Sequence, residues 1–325
     1  MLPKPLHSLR AAGLFVALAL LALALLAAGC GGGGGITGGG SIAQEYDFSG
    51  NEYTVGSKEF TEQLVLGNIT KLALENAGAT VNDQIGLAGS DAARTALTSG
   101  EIDMYWEYLG TAWVSYLGET SGAIPGDDYE TVAERDLEEN DVRWLEPAPE
   151  QNSYAIAANQ QIADEYGLQN LSDLGPFISE NPDEATLCVG GEFADRDDGL
   201  PGMQETYGWE FPEDQVNRIQ DGLVYDQVSE GEQCNFGSVF TTDGRIPNLD
   251  LVVLTDDQDH FPAYNGALTI RREVFEENER LADLFAPISE LLTTEEMQRL
   301  NSQVDVDGLP PEDVAEDFLS ENGFI

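Results

Sequence analysis

Residue types that carry much of enzyme and nucleic-acid chemistry are scarce in this chain. Its 325 residues include 14 Lys and Arg against 60 Asp and Glu, two His and three Cys. A net charge of −46 repels nucleic acid and anionic lipid headgroups, so neither is expected as an electrostatic partner. Hydrophobic residues still make up 42% of the chain. That content is enough for one large two-lobed domain or two ordinary domains.

The shortage of histidine excludes further functions. His7 lies in an N-terminal segment that we expect to be removed, so His260 is the only histidine left for proton transfer. This disfavours a Ser–His–Asp hydrolase and a multi-histidine metal site. Acidic runs at Asp197 and Asp256 lack the spacing and turn glycine of a calcium loop. We therefore expect no metal, no cofactor and no catalysed reaction.

The first thirty residues have the pattern of a secretory signal. Lys4 and Arg10 precede an apolar run over residues 11–28, and small residues lead into Cys30. A cysteine in this place resembles a lipobox, which makes 1–29 a lipoprotein signal peptide and Cys30 the lipid-modified first residue. The alternative is a retained membrane anchor, although eighteen apolar residues are at the short end for a span.

A glycine-rich stretch follows the candidate lipidation site. Residues 31–40 are all glycine except Ile36 and Thr37. Such a sequence cannot pack, and we interpret 30–51 as a flexible tether. A lipid anchor with a flexible tether suits a protein that works on the extracytoplasmic face of a cell membrane.

From residue 53 the chain alternates between strand and helix patterns. Strand patterns occur at 53–56, 80–85 and 102–105, and helix patterns run from Thr61 to Gly78 and from Ser90, a candidate N-cap, to Gly100. This alternation predicts a parallel sheet with helices on both faces. Ligands bind beyond the carboxyl ends of the strands in such sheets.

A second unit of the same kind occupies the middle of the chain. Strand patterns occur at 152–158, 185–189 and 235–240, with a helix pattern at 221–229. After 251–254 the chain returns to the first unit, and its end is helical, with a capping box at Thr293 and Glu296 and a helix pattern at 310–319. The order predicts two α/β lobes joined by two crossings, which is a clamshell. We place lobe 1 at 52–150 and 262–325, and lobe 2 at 151–261.

Six separated motifs occur in series. They are residues 56–63 (GSKEFTEQ), 100–112 (GEIDMYWEYLGTA), 192–202 (EFADRDDGLPG), 222–225 (GLVY), 242–246 (TDGRI) and 261–265 (FPAYN). Through them the chain, from Tyr53 to Ile325, resembles the substrate-binding proteins of osmoprotectant ABC importers, which capture glycine betaine, proline betaine, choline or carnitine. The resemblance implies a type II periplasmic-binding-protein fold. It also implies a monomer that delivers a quaternary ammonium ligand to an ABC permease and its ATPase subunit.

The family holds the ligand's ammonium group in a box of aromatic rings. A trimethylammonium has no N–H donor, and its diffuse charge fits the negative faces of rings at about 0.5–2 kcal/mol for each contact. The resemblance places the box at four positions: Tyr108, Tyr154, Phe240 and Tyr264. Phe240 departs from the family, which commonly has tyrosine there. We consider Tyr129 as a further ring.

Other matching positions reach the opposite end of the ligand. The resemblance assigns Lys58, Thr111 and Arg196 to a betaine carboxylate, and Asn152 to the methyl groups. With choline bound, the two cations would stay unpaired in a closed cleft, unless Glu62 or Glu107 compensated them. We therefore expect betaines to bind at least about tenfold better than choline.

Cys188 and Cys234 each lie beside a predicted strand. In an exported protein such a pair favours a disulfide, and the alternative is two buried free thiols.

Two other functions stay open at this point. One is a clamshell protein for another small solute, such as an amino acid. The other is a secreted hydrolase, which the single remaining histidine and the absence of Gly-x-Ser-x-Gly disfavour.

The acidic composition predicts stability that depends on salt. Without residues 1–29 the chain has 12 basic and 60 acidic residues, a formal charge of −48. We interpret this as adaptation to high salt; the alternative is an ordinary acidic exported protein. At low ionic strength, where the screening length reaches about 30 Å, mutual repulsion should weaken the fold. The melting temperature should rise markedly between dilute buffer and molar salt. A flat dependence would contradict the halophilic interpretation.

Overall fold

The computed structural model describes residues 40–126 and 128–325. The predicted signal peptide, Cys30 and residues 31–39 of the predicted tether lie outside these residues. No helix in the described ranges is long and apolar enough to cross a membrane. The same ranges contain no group of three or more His, Cys, Asp or Glu side chains arranged to hold a metal ion.

Within the described part of the chain, ten strands form two mixed five-stranded sheets. They are β1 (Glu52–Lys58), β2 (Thr80–Leu87), β3 (Met104–Tyr108), β4 (Val142–Trp144), β5 (Tyr154–Ala158), β6 (Leu187–Val189), β7 (Val216–Arg218), β8 (Phe236–Phe240), β9 (Val252–Val253) and β10 (Gly266–Arg271). The first sheet has the order β2-β1-β3-β10-β4, and the second has the order β7-β6-β8-β5-β9.

Helices cover both sheets. They are α1 (Ser41–Glu45), α2 (Thr61–Asn76), α3 (Gly89–Ser99), α4 (Leu109–Thr111), α5 (Asp128–Asn140), α6 (Gln160–Tyr166), α7 (Leu174–Glu180), α8 (Gly191–Asp195), α9 (Leu200–Tyr207), α10 (Asp221–Glu230), α11 (Arg245–Asn248), α12 (Arg272–Glu277), α13 (Arg280–Ser289), α14 (Thr294–Asp305) and α15 (Pro311–Glu321). A π-helical turn, Ala112–Tyr116, follows α4. Short 3-10 turns occur at Leu171–Asp173 and Glu213–Gln215.

Strand direction agrees only in part with the predicted parallel sheet. β1 pairs in parallel with β2 and β3, but β10 is antiparallel to β3 and β4. The three strands from which the parallel sheet was predicted, β1 to β3, are parallel. The patterns predicted no strand at β10, which joins this sheet after the chain returns from the second sheet. The second sheet is mixed in the same way, since β6 is parallel to β7 and β8 while β5 is antiparallel to β8 and β9. The chain crosses between the sheets after β4 and again after β9. The lobe boundaries themselves stay a prediction.

Glycine ends helices where the sequence indicated. The backbone of Gly100 has φ +80° at the end of α3, and Gly78 has φ +91° just after α2; this left-handed region favours glycine. The predicted cap at Ser90 is wrong. α3 begins one residue earlier, so Ala88 is the N-cap and Ser90 lies inside the helix. At the start of α14, the Thr293 side chain accepts a hydrogen bond from the backbone N–H of Glu296 at 3.2 Å.

The predicted tether does not extend through residue 51. The backbone N–H groups of Ser41 and Ile42 donate to the carbonyl oxygens of Gly323 and Phe324, at 2.9 and 3.1 Å. Ile42 and Phe48 are buried in the core beside the first sheet. Burial of these two apolar side chains holds the segment against the core, whereas the preceding glycines have no side chains to bury.

A disulfide joins Cys188 in β6 to Cys234 just before β8. Both cysteines are fully buried, in the cluster that includes Val224 and Val228 of α10. The bond therefore ties two neighbouring strands of the second sheet beneath a helix.

Reduction of this bond should destabilise the protein by about 3–4 kcal/mol, the loop-closure entropy of a loop of this length. Urea unfolding with and without reductant measures the difference. A double variant, Cys188→Ala with Cys234→Ala, should show no response to reductant and serves as the control. An unchanged unfolding midpoint in wild-type protein whose thiols are demonstrably free would contradict this account.

Candidate functional site

Both sheets and the segments next to their strands contribute residues to the wall of a cavity of about 520 Å³. Seven of the eight predicted ligand-binding residues line it: Lys58, Tyr108, Thr111, Asn152, Tyr154, Phe240 and Tyr264. Arg196 is the exception. Lys58, Tyr108 and Phe240 are the last residues of β1, β3 and β8, so the cavity lies where ligands of such sheets usually bind.

Sheet pairing brings the predicted rings together. Tyr154 opens β5 and pairs with Phe240 across an antiparallel ladder, and their ring centroids are 5.1 Å apart. Tyr264 precedes β10 and meets Tyr154 edge-on at 5.8 Å, with an interplanar angle of 83°. Tyr108 ends β3, whose partner in the ladder is β10. Four rings far apart in the sequence therefore meet at one cavity.

The structure adds a fifth ring, Phe60, which the sequence analysis missed. Its ring stacks on Phe240 at 5.3 Å and 12°, and lies 6.3 Å from Tyr108. Phe60 is the N-cap of α2 and also lines the cavity. The signal was present, since Phe60 stands inside the motif GSKEFTEQ. We refer to Phe60, Tyr108, Tyr154, Phe240 and Tyr264 as the cage rings.

Tyr129, by contrast, lies away from the cavity. Its hydroxyl donates to the backbone oxygen of Trp144 at 3.3 Å, and its ring packs against the core on the first sheet. Burial raises its pKa to about 12. The prediction of an additional cage ring at this position is wrong, because α5 carries the side chain into the core.

Lys58 already has a partner inside the protein. Its Nζ donates to Glu107 Oε1 at 2.7 Å, and both side chains are buried. Glu107 also accepts from the hydroxyls of Tyr105 and Tyr116, each at 2.8 Å. The Lys58 ammonium lies 5.2 Å from the ring centroid of Tyr108. Lys58 is therefore compensated by Glu107, the alternative left open above, and would not be unpaired with choline bound.

Arg196 is paired as well, and it lies behind the rings. Its guanidinium donates to both carboxylate oxygens of Asp198 and, at 3.1 Å, to Glu192. Its Cζ atom is 5.5 Å from the ring centroid of Tyr154, and the hydroxyl of Tyr264 donates to Asp198. Its internal partners are therefore the carboxylates at i−4 and i+2, and through Tyr154 and Asp198 it supports two cage rings. The predicted contact of Arg196 with a ligand carboxylate stays a prediction.

Arg196 also reaches across to the first sheet. Its Nη2 lies 3.5 Å from Thr111 Oγ1, at the end of the helical turn that follows β3. This is a long contact, but it joins side chains from the two halves of the structure at the cavity edge. A role in holding the cavity shut is compatible with this position.

The side-chain nitrogen of Asn152 is hydrogen-bonded to a carboxylate of the cavity wall. Its Nδ2 donates to Glu62 Oε1 at 2.7 Å, and the hydroxyl of Tyr108 donates to the same oxygen at 2.7 Å. Asn301 Nδ2 donates to Glu62 Oε2 at 3.0 Å. Burial raises the pKa of Glu62, and these donors together with Thr242 lower it part of the way back.

Acidic side chains outnumber basic ones in the cavity wall. The acidic ones are Glu59, Glu62, Glu192, Asp221, Asp243 and Asp305, and the basic ones are Lys58 and Arg245. Arg245 donates to both carboxylate oxygens of Asp243 and lies 3.6 Å from Asp305. The wall therefore has an excess of negative charge, which favours a ligand with a cationic group.

The remaining histidine takes no part in the cavity. His260 is buried, and its Nδ1 lies 2.9 Å from Thr206 Oγ1. Burial lowers the pKa of His260. Among the cavity-lining residues there is no histidine and no cysteine.

Known proteins are similar to this chain in sequence and in fold. A family model described as the substrate binding domain of ABC-type glycine betaine transport systems matches residues 51–321. A glycine-betaine-binding protein of Pseudomonas aeruginosa is 37% identical over 276 residues, which cover 83% of this chain and 88% of the relative. The ergothioneine transport permease/ergothioneine binding protein of Helicobacter pylori is 32% identical over 83% of this chain and 47% of its own length. The crystal structure of a glycine betaine/carnitine/choline ABC transporter superposes with a TM-score of 0.69 at 26% identity, covering 84% of this chain and 98% of that one.

Proposed function

The chain belongs to the family of substrate-binding domains of ABC-type glycine betaine transport systems, and from this we propose that it captures a quaternary ammonium osmoprotectant in the cage rings. Family members bind a solute for an importer and catalyse no reaction, and they work outside the cytoplasm. We propose glycine betaine or a related betaine as the ligand, with choline and carnitine as further candidates.

The observation that carries this proposal is the set of five aromatic rings on one cavity wall. A trimethylammonium presents only methyl groups, so hydrogen bonds cannot hold it and ring faces can. The rings of Tyr154 and Phe240 come from the second sheet, whereas Tyr108 belongs to the first and Phe60 lies between β1 of that sheet and α2. A ligand held between them would contact both halves, which favours the closed state through contacts that the open state lacks.

The carboxylate end of a betaine would meet Lys58 and Thr111. An ammonium has three N–H donors, and the hydrogen bond with Glu107 uses one of them. A ligand carboxylate can therefore still accept from Lys58, although the net charge of the pair is neutral. The expected tenfold preference for betaines assumed two unpaired cations, and that reason does not apply here. Choline therefore remains a candidate beside glycine betaine. Carnitine has a carboxylate of its own, so this change does not affect it.

A calorimetric panel tests the proposed ligand class. Glycine betaine, proline betaine, carnitine, choline and ergothioneine are compared with proline and other amino acids that have no quaternary nitrogen. We expect the tightest binding from a quaternary ammonium compound. If an ordinary amino acid binds more tightly than all of them, the alternative of a clamshell protein for another solute is correct.

The variant Tyr154→Leu tests the cage itself. It keeps an apolar side chain but removes the ring face, so the affinity for the best quaternary ligand should fall by about 2- to 30-fold. Tyr129→Leu is the matched control, since that ring lies in the core outside the cavity. Equal affinities of the Tyr154 variant and the wild type would show that the ammonium is held elsewhere.

We also propose that Cys30 anchors the protein to the membrane by a lipid, and that the monomer serves a permease and its ATPase subunit. The support is the basic start, the apolar run and the small residues before Cys30. The acidic composition supports a saline habitat.

The variant Cys30→Ser should be released from the membrane or remain unprocessed. Cell fractionation with labelled fatty acid measures this, and Ser41→Ala provides a control near the tether. A Cys30→Ser protein that is processed normally and stays in the membrane fraction would contradict the anchor.

A further inference from the structure

A buried carboxylate forms part of the cavity wall, and the sequence named it only as a possible partner of Lys58 and Arg196, whose hydrogen-bond partners are other carboxylates. Glu62 lies in the first turn of α2, and only 2% of its surface is exposed. It lines the cavity together with the cage rings. Taking a carboxylate out of water is costly, so a buried one needs compensation.

Neutral donors supply the compensation visible in the structure. The hydroxyl of Tyr108 and the amides of Asn152 and Asn301 donate to the two oxygens of Glu62, at 2.7, 2.7 and 3.0 Å. Carboxylates accept such hydrogen bonds best when they are ionised. The donors therefore stabilise the ionised form of Glu62 and oppose the burial that raises its pKa.

No cation in the described residues is paired with Glu62. The basic side chains of the cavity wall, Lys58 and Arg245, are bonded to Glu107 and Asp243 instead. The side-chain oxygens of Asn152 and Asn301 are buried and have no hydrogen-bond partner. Because the amide nitrogens of both residues donate to Glu62, the amide oxygens near it receive no hydrogen bond. This part of the wall is negative and lacks a positive partner.

A second buried carboxylate shows which group carries the negative charge. Glu150 is buried near Glu62, and its Oε1 accepts from the backbone N–H of Gly266 at 2.7 Å, while its Oε2 has no partner. Burial, together with the charge of Glu62, raises the pKa of Glu150 well above its usual value. Two close carboxylates do not both ionise readily. Glu150, with fewer donors, therefore takes the proton and Glu62 keeps its charge.

We propose that Glu62 is the fixed counter-charge for the ligand's quaternary ammonium and a specificity-determining residue of the cavity. The inference rests on the proposed function. Glu62 favours a cationic headgroup over a neutral group of the same shape, in addition to the selection that the aromatic rings supply. Its hydrogen bond from Tyr108 also makes that ring more electron-rich, because bonded polar groups polarise one another.

Ligands that differ only in headgroup charge test this role. Glycine betaine is paired with tert-butylacetate, in which carbon replaces the quaternary nitrogen, and choline with its tert-butyl analogue. Calorimetry gives the ratio of affinities within each pair for wild type, Glu62→Gln and the control Glu75→Gln, an exposed glutamate on the same helix. A purely structural role would change both members of a pair alike.

In Glu62→Gln we expect the preference for the charged headgroup to fall by at least about tenfold, the value of one charge-assisted contact. Glycine betaine should bind more weakly, and tert-butylacetate equally or more tightly. Glu75→Gln should keep the wild-type ratio. An unchanged ratio in folded Glu62→Gln overturns the inference.

A second variant keeps the test decisive if Glu62→Gln does not fold. Since Glu150 is the protonated member of the pair, Glu150→Gln should keep the wild-type ratio. A lost preference in that variant would place the charge on Glu150 and overturn the assignment to Glu62. If no quaternary ligand binds wild type, the proposed function fails first. If betaine binds and only the ratio is insensitive to Glu62, the proposed function stands and this inference fails.

Discussion

Charge compensation in the cavity wall determines where the aromatic rings lie. Lys58 is bonded to Glu107 beneath the ring of Tyr108, and Arg196 is bonded to Asp198 behind Tyr154. Charged groups this deeply buried are tolerated only when paired and hydrogen-bonded. Because the cations are satisfied inside the protein, they support the rings from behind. The wall that faces the ligand is consequently aromatic and negative, which suits a diffuse cation.

The two sheets meet at this cavity through few but specific contacts. Phe60 stacks on Phe240 from the opposite sheet, and Asn301 of α14 donates both to Glu62 and to the backbone oxygen of Thr242 after β8. Such contacts depend on the relative position of the halves. A ligand between the rings contacts both sheets only when the two halves of the structure are close together. Its contacts then add to those that already join the halves. Binding and closure are therefore linked without any chemical step, as a delivery protein requires.

The paired cations also change how ligands are ranked. A free lysine and a free arginine would penalise any ligand without a carboxylate, whereas two neutral pairs impose a much smaller penalty. Glu62 strengthens the binding of all three ligands, because its charge attracts the trimethylammonium group that glycine betaine, choline and carnitine share. Under the proposed function, discrimination among these ligands falls to hydrogen bonds from Lys58 and Thr111 and to the shape of the cavity.

Local signals in the sequence determined the succession of strands and helices, the ends of helices at Gly78 and Gly100, and, through the motifs, most residues of the cavity wall. These features depend on neighbours in the chain or on short patterns. The tertiary structure alone decided the partners: Glu107 lies 49 residues from Lys58, and Asn301 lies 239 residues from Glu62. It also decided that β10 runs antiparallel and that Phe60 joins the rings. No local pattern encodes such pairings, because they arise only when the return of the chain from the second sheet brings distant segments to one cavity.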